Sequence, residues 1–436
     1  MKKFLKSKAF SGTVMALGGQ AAFLLSNMIL FLIVVREFSQ EEFGVWGLYL
    51  TIIALLDGLR QGLLQNGLTR FLILEPESER EILGSGLILH LGYILIASAL
   101  LAIFASPIAE FWGMPEMRSL LELSILPLMS IGTIQGISVL CFAKHKSAAY
   151  LFLNLGYLLA FVAGLGFVFF TGELSLASIL WVQGFACLIP LGLSLFFSLG
   201  KIGLPSLRWL VALLQYGKYI AGTNMFSLLF QKADIFMIGY FLNPAAVGLF
   251  HLATKIIQYI ELPLSALSQT IYPRLAATHR SNDVTQLNAE YARGILLLFV
   301  LLSPAALLVM VFATPIVTLL SSEDYLGTVP LLMILVPATL IKPWGRVFGL
   351  ALDAVGKPQV NFQLLGFSLA VNVILNLILI QTFGLIGAAI ATSTSIVVTI
   401  ILGQIRIKKY MKVSSGMGLI HFAKHTLTQN FNFKTS

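Results

Sequence analysis

Stretches long enough to cross a bilayer recur along the whole of this chain. Apolar runs of 18 to 25 residues return again and again, and at 1.5 Å rise per residue each can span a hydrocarbon core of about 30 Å. Twelve spans are predicted, near 11–35, 43–69, 83–105, 119–142, 148–171, 177–199, 217–241, 245–273, 294–318, 327–352, 360–381 and 386–405. Spans and short turns then use almost every residue. With 58% of the residues apolar and only 11% charged, no room is left for a soluble catalytic domain. The predicted fold class is all-α: a polytopic membrane protein, with its work done inside the membrane.

Lys2, Lys3, Lys6 and Lys8 precede the first apolar run, as in a signal peptide. That run is too long, however, and no small-residue cleavage site follows it, so it reads as the first transmembrane helix. With the N-terminus placed inside, the cytoplasmic segments hold 21 of the 28 Lys and Arg, and the external loops hold only Arg36 and Arg118. The positive-inside rule therefore predicts an even number of helices and two cytoplasmic termini. It also accounts for the net charge of +9, which reports topology and anionic lipid heads rather than nucleic-acid binding. Cys141 and Cys187 lie in apolar spans without metal-ligand spacing, and no phosphate-binding G-x-x-x-x-G-K-[ST] loop is present.

Six spans fall in 1–200 and six in 217–405. A shift of 204 residues lays Gly44 on Gly248, Gln65 on Gln269, Arg70 on Arg274 and Asp57 on Glu261. This pattern predicts a duplication: an N-terminal six-helix bundle (1–200), a cytoplasmic connecting loop (201–216), a C-terminal six-helix bundle (217–405) and a basic cytoplasmic tail (406–436). Duplicated bundles of this kind rock about a central cavity to give alternating access.

Charges inside the spans indicate what that cavity holds, because ionisable groups in hydrocarbon cost about 2.5–3.5 kcal/mol each on insertion scales. Asp57 and Arg60 share a helix face at i,i+3 and can neutralise each other. Lys255, Gln258 and Glu261 step along the eighth span, with Pro263 just beyond. Lys342 and Arg346 stand at i,i+4, with no acid on their helix before Asp353. Lys232 and Asp234 point to different sides of the seventh span. The candidate substrate-binding cations are Arg60, Lys255, Lys342 and Arg346; Asp57, Asp234 and Glu261 are either coupling acids or pair partners. A structural Asp57–Arg60 lock and a snorkelling Lys232 are the plainer alternatives.

The run "QKADIFMIGYFLNPAAVGLFHLATKI" (231–256), then "YPRLA" (272–276), resembles the start of the second half of polysaccharide flippases in the multidrug/oligosaccharidyl-lipid/polysaccharide exporter superfamily. The matching positions are Asp234, Gly239, Gly248, Phe250 and Pro273, and "EEFGVWGLYLTIIALL" (41–56) resembles the corresponding first-half segment. The resemblance implies a bacterial inner-membrane flippase. Its cargo would be an undecaprenyl-pyrophosphate-linked oligosaccharide, such as an O-antigen or exopolysaccharide unit, moved from the cytoplasmic to the periplasmic leaflet. It further implies coupling to H⁺ or Na⁺ with no other cofactor, contact with membrane lipids, and assembly with a glycan polymerase and a chain-length regulator. Basic side chains suit a pyrophosphate, which cannot cross hydrocarbon alone.

Two alternatives stay open. A drug exporter of the same superfamily needs an acid-lined cavity, whereas five basic residues stand in the spans here against three deep acids. An integral-membrane glycan-processing enzyme needs a large external loop, and the longest here, 104–118, carries only Glu110, Glu116 and Arg118. The sequence therefore favours a transporter over an enzyme.

Overall fold

The computed structural model describes residues 8–197, 202–280 and 284–411. Every regular element among them is helical, as lipid requires of a chain that must satisfy its own backbone hydrogen bonds. The chain divides into two compact units, one up to Leu229 and the other from Phe230 onward.

In the first unit, α1 (Lys8–Glu37) packs along α8 (Ser147–Thr171), where the Tyr150 hydroxyl donates to Gln20 Oε1 at 2.9 Å. α2 (Gln40–Arg60) opens on a capping box. Ser39 Oγ accepts from the Glu42 amide and Glu42 Oε2 accepts from the Ser39 amide, so two orphan donors are satisfied before the first apolar turn. The helix then passes through a π-helical turn, Gln61–Gln65, into α3 (Asn66–Leu74). A 3₁₀ turn at Pro76–Ser78 leads to α4 (Glu79–Ile103); α5 (Ala105–Phe111) and α6 (Met117–Glu122) form the short connection to α7 (Ile125–Ala143). α8 ends on Gly172, whose φ of 73° is a left-handed cap suited to glycine, and α9 (Leu176–Ala186) and α10 (Leu188–Phe196) form the sixth span. Trp46 and Tyr49 are buried in this unit, whereas Leu159, Phe167 and Phe170 of α8 point outward, as expected of a lipid-facing surface.

α11 (Leu207–Phe241) begins ten residues earlier than the predicted seventh span, so much of the expected 201–216 loop is helix. The reason is burial: Trp209 is 3% exposed among Leu72, Ile82, Leu83 and Val139, and its ring stacks at a tilt 5.5 Å from Phe71. α11 lies against α2 and α3 through small residues. A Cβ on Gly217 would stand 2.0 Å from the Leu63 carbonyl oxygen, and one on Gly62 would stand 2.4 Å from Ala221 Cα. Only glycine permits that approach.

The second unit takes the end of α11 and continues with α12 (Pro244–Arg280), α13 (Val284–Val311), α14 (Ala313–Leu320), α15 (Thr328–Leu340), α16 (Lys342–Ala354) and α17 (Pro358–Met411). α17 is two helices joined at Gly384 (φ 57°, ψ −136°), and a Cβ on nearby Gly387 would stand 1.8 Å from the Leu379 carbonyl oxygen. Nine described stretches are long and apolar enough to cross a membrane, one of them the α17 pair; α11 and α12, of 35 and 37 residues, carry in-span charges. Separating the α17 pair and adding α11 and α12 gives twelve spans. The expected basic tail is described only as far as Met411, and the rest of it, 412–436, lies outside the described residues.

Candidate functional site: charges inside the helices

In the first unit, Asp57 and Arg60 form a closed polar ring. Arg60 Nε and Nη2 donate to Asp57 Oδ1 at 2.9 and 2.7 Å. Nη2 also donates to Gln135 Oε1 on α7, and Gln135 Nε2 returns a bond to Asp57 Oδ2 at 3.2 Å. Gln61 Nε2 supplies a fourth bond to the carboxylate, at 2.7 Å. Arg60 is 2% and Asp57 7% exposed, and the pair is buried with the carboxylate accepting four bonds and the guanidinium using three of its five N–H donors within the ring.

Arg60 and His90 also line a cavity of about 800 Å³, together with Leu64, Leu87, Val139, Arg80 and Lys144. His90 can sit beside Arg60 because residue 132 has no side chain: a Cβ there would stand 2.4 Å from His90 Cε1 and 3.5 Å from Arg60 Nε. In the same lining Lys144 Nζ pairs with Glu79 Oε1 at 2.6 Å.

The other three candidate cations lie in the second unit, where α16 packs against α12. Lys342 Nζ lies 2.5 Å from Glu261 Oε1, and Arg346 Nε donates to Ser268 Oγ at 2.7 Å. The helix of Lys342 carries no acid before Asp353, and its partner comes instead from another helix, 81 residues away. Lys342 and Glu261 keep side-chain exposures of 30% and 26%, so this pair is open where Asp57–Arg60 is closed. Lys255 is half-buried higher on α12, within electrostatic reach of Lys232 on α11. Those two lysines share a neighbourhood with the buried imidazole of His251.

Asp234 lies in a separate nest. It is 4% exposed and accepts from Asn372 Nδ2 (3.0 Å), Asn376 Nδ2 (2.5 Å) and the Thr392 hydroxyl (2.8 Å). The two asparagines come from the first half of α17 and the threonine from the second, so the bend at Gly384 assembles the nest. The charge of Lys342 acts on Asp234 as well as on Glu261. Sequence reasoning missed Gln61, His90, Gln135, Ser268, Asn372, Asn376 and Thr392. The signal for the asparagines was nonetheless present: two amides at i,i+4 in an otherwise apolar span.

The fold is that of known exporters. A multidrug resistance MATE family transporter of the MOP superfamily, in its inward-facing conformation, superposes with a TM-score of 0.74 at 15% identity, covering 92% of this chain and all of that one. The lipid II flippase MurJ, in an inward closed conformation, superposes at 0.72 and 15% identity over 97% of this chain and 94% of that one. A probable low-salt glycan biosynthesis flippase, Agl15 of Haloferax volcanii, is 27% identical over 191 residues, 44% of this chain and 40% of that protein. The chain spans about two fifths of the length of the curated relatives it matches.

Twelve spans in two helical units, with charged and amide side chains held inside them, give the chain the fold class of these membrane proteins. Within it, the chain belongs to the polysaccharide biosynthesis protein family, whose sequence model matches residues 33–330. The model of the lipid II flippase MurJ also matches residues 235–431.

Proposed function

We propose that the protein is a flippase, not an enzyme, and that it carries a polyprenyl-pyrophosphate-linked oligosaccharide, of the O-antigen or exopolysaccharide kind, across a bacterial inner membrane from the cytoplasmic leaflet. One observation carries the reading: along α12 and α16 three cations, Lys255, Lys342 and Arg346, stand with two carboxylates among the described residues, Glu261 bonded to Lys342 and Asp353 within electrostatic reach of Arg346. A helical interior with that surplus of positive charge suits an anion, and a pyrophosphate offers several acceptor oxygens to its N–H donors. Arg60 is the corresponding donor at the cavity of the first unit. The flippase names among the relatives support the same reading.

Asp234 is the acid best suited to a coupling ion. Its surroundings are hard oxygen and amide groups, and Asn376 Oδ1 is buried with no hydrogen-bond partner among the described residues, which fits a proton or Na⁺ better than a soft metal. Its electrostatic contact with Lys342 gives that ion a route to the anion-binding strip.

The test is translocation of a fluorescent undecaprenyl-pyrophosphate glycan in proteoliposomes. Parent protein should move it, and Lys342→Gln with Arg346→Gln, in folded protein, should abolish the movement. Efflux of a cationic dye without glycan movement would instead place the protein among the drug exporters.

A further inference from the structure

The two ion pairs inside the spans are built differently. The Asp57 carboxylate takes four N–H bonds, two from Arg60 and one each from Gln61 and Gln135, and both partners are nearly inaccessible. Among the described residues the Glu261 carboxylate takes one bond, from Lys342 Nζ, and about a quarter to a third of each side chain is exposed. Arg346 lies one helical turn beyond Lys342 on the same face of α16; among the described residues its hydrogen bond goes to the neutral hydroxyl of Ser268, and Asp353 on the same helix feels its charge without bonding it. An anion approaching this strip meets Arg346 with no carboxylate bonded to it and Lys342 with one carboxylate on a single contact.

We propose that Glu261 is an internal competitor for the phosphate-bearing head group. It holds Lys342 when the strip is empty, gives way when an anion binds, and retakes the lysine to drive the anion off. The role rests on the flippase reading above and adds to it the step that makes binding reversible. A cationic strip without such a competitor would hold a pyrophosphate tightly and release it slowly, and a carrier needs a site from which its cargo can leave. Lysine suits the exchange better than arginine, because its ammonium is a point charge on a flexible stem and can move between two oxygens without loss of a fixed two-pronged geometry. The Asp57–Arg60 ring has the opposite design: freeing Arg60 breaks two bonds to Asp57 and one to Gln135.

The experiment measures binding of farnesyl pyrophosphate to purified protein, by calorimetry in detergent, alongside glycan translocation in proteoliposomes. Glu261→Gln keeps the shape and removes the competing charge; it should bind about five- to tenfold tighter, the worth of an exchangeable half-exposed pair near 1 kcal/mol, and translocate more slowly. In a Lys342→Gln background the same substitution should leave affinity unchanged, since Glu261 acts through Lys342. Glu261→Asp, with a shorter reach, should fall between parent and Glu261→Gln, and it decides the matter if the glutamine variant does not fold. Unchanged or weaker binding by folded Glu261→Gln overturns the proposal, as does equal tightening without Lys342, which would be a general charge effect. A parent that neither binds farnesyl pyrophosphate nor moves the glycan overturns the flippase reading too, whereas a parent that does both, beside an unaltered Glu261→Gln, overturns this inference alone.

Discussion

Breaking the Asp57–Arg60 ring from either side should be far more damaging than removing it whole. Asp57→Leu leaves a guanidinium 2% exposed with Gln135 as its remaining partner, and Arg60→Met leaves a carboxylate 7% exposed with only the two glutamine amides. An uncompensated buried charge costs about 3–5 kcal/mol. For a unit of this size that corresponds to a fall of roughly 6–20 °C in melting temperature. The double variant Asp57→Leu/Arg60→Met removes both charges and leaves Gln61 and Gln135 short of partners, a cost of about 1–3 kcal/mol. The pairwise coupling from the full cycle is then at least about 3 kcal/mol. The assay is thermal unfolding of the four proteins in one detergent, with tryptophan fluorescence as the signal. A double variant that loses the sum of the two single losses would refute the argument, because the residues would then act independently.

Three further outcomes are expected. Gly217→Ala should destabilise the first unit by about 1–3 kcal/mol, since its methyl would meet the Leu63 carbonyl oxygen; a melting temperature equal to that of the parent would show that α11 can shift at no cost. Gly384→Ala should cost about 1–3 kcal/mol through backbone conformation alone, because a Cβ there meets nothing within 4 Å, whereas Gly387→Ala should cost more through collision with Leu379; equal losses in the same thermal assay would contradict this. Asp234→Asn should leave farnesyl pyrophosphate binding within about twofold of the parent, under 0.5 kcal/mol, yet make translocation indifferent to imposed H⁺ and Na⁺ gradients, and a variant still driven by either gradient would remove Asp234 from coupling.

Hydropathy made the spans legible, because each must be apolar over the thickness of the hydrocarbon core whatever its neighbours are. The start of α11 was less so. Arg208 and Lys218, after Pro205, read as a connection, and only the packing of Trp209 onto Phe71 and Leu72 explains why the helix begins at Leu207. The same division holds for the charges. Asp57 and Arg60 were readable as a pair because i,i+3 spacing fixes their shared face on one helix. Lys342 and Glu261 were not, since nothing along either helix states which neighbour it will lie against. The Asp234 nest falls between: its asparagines announce themselves at 372 and 376, but Thr392 joins them only through the bend at Gly384.

The π-helical turn at Gln61–Gln65 amounts to one residue more than a regular helix needs. Arg60 before it, and Leu64, Gln65 and Leu68 within and beyond it, line the same cavity. Loss of a single codon within that turn would restore ordinary helical winding, and because the extra residue is absorbed inside one wide turn, the helix on either side would keep its face. A chain one residue shorter at this point would keep Arg60 and Leu68 toward the cavity and change only the side chains of the turn itself. A one-residue gap between this chain and a relative at 61–65 is therefore a local change in one wall of the cavity, with the register of the rest of the helix kept.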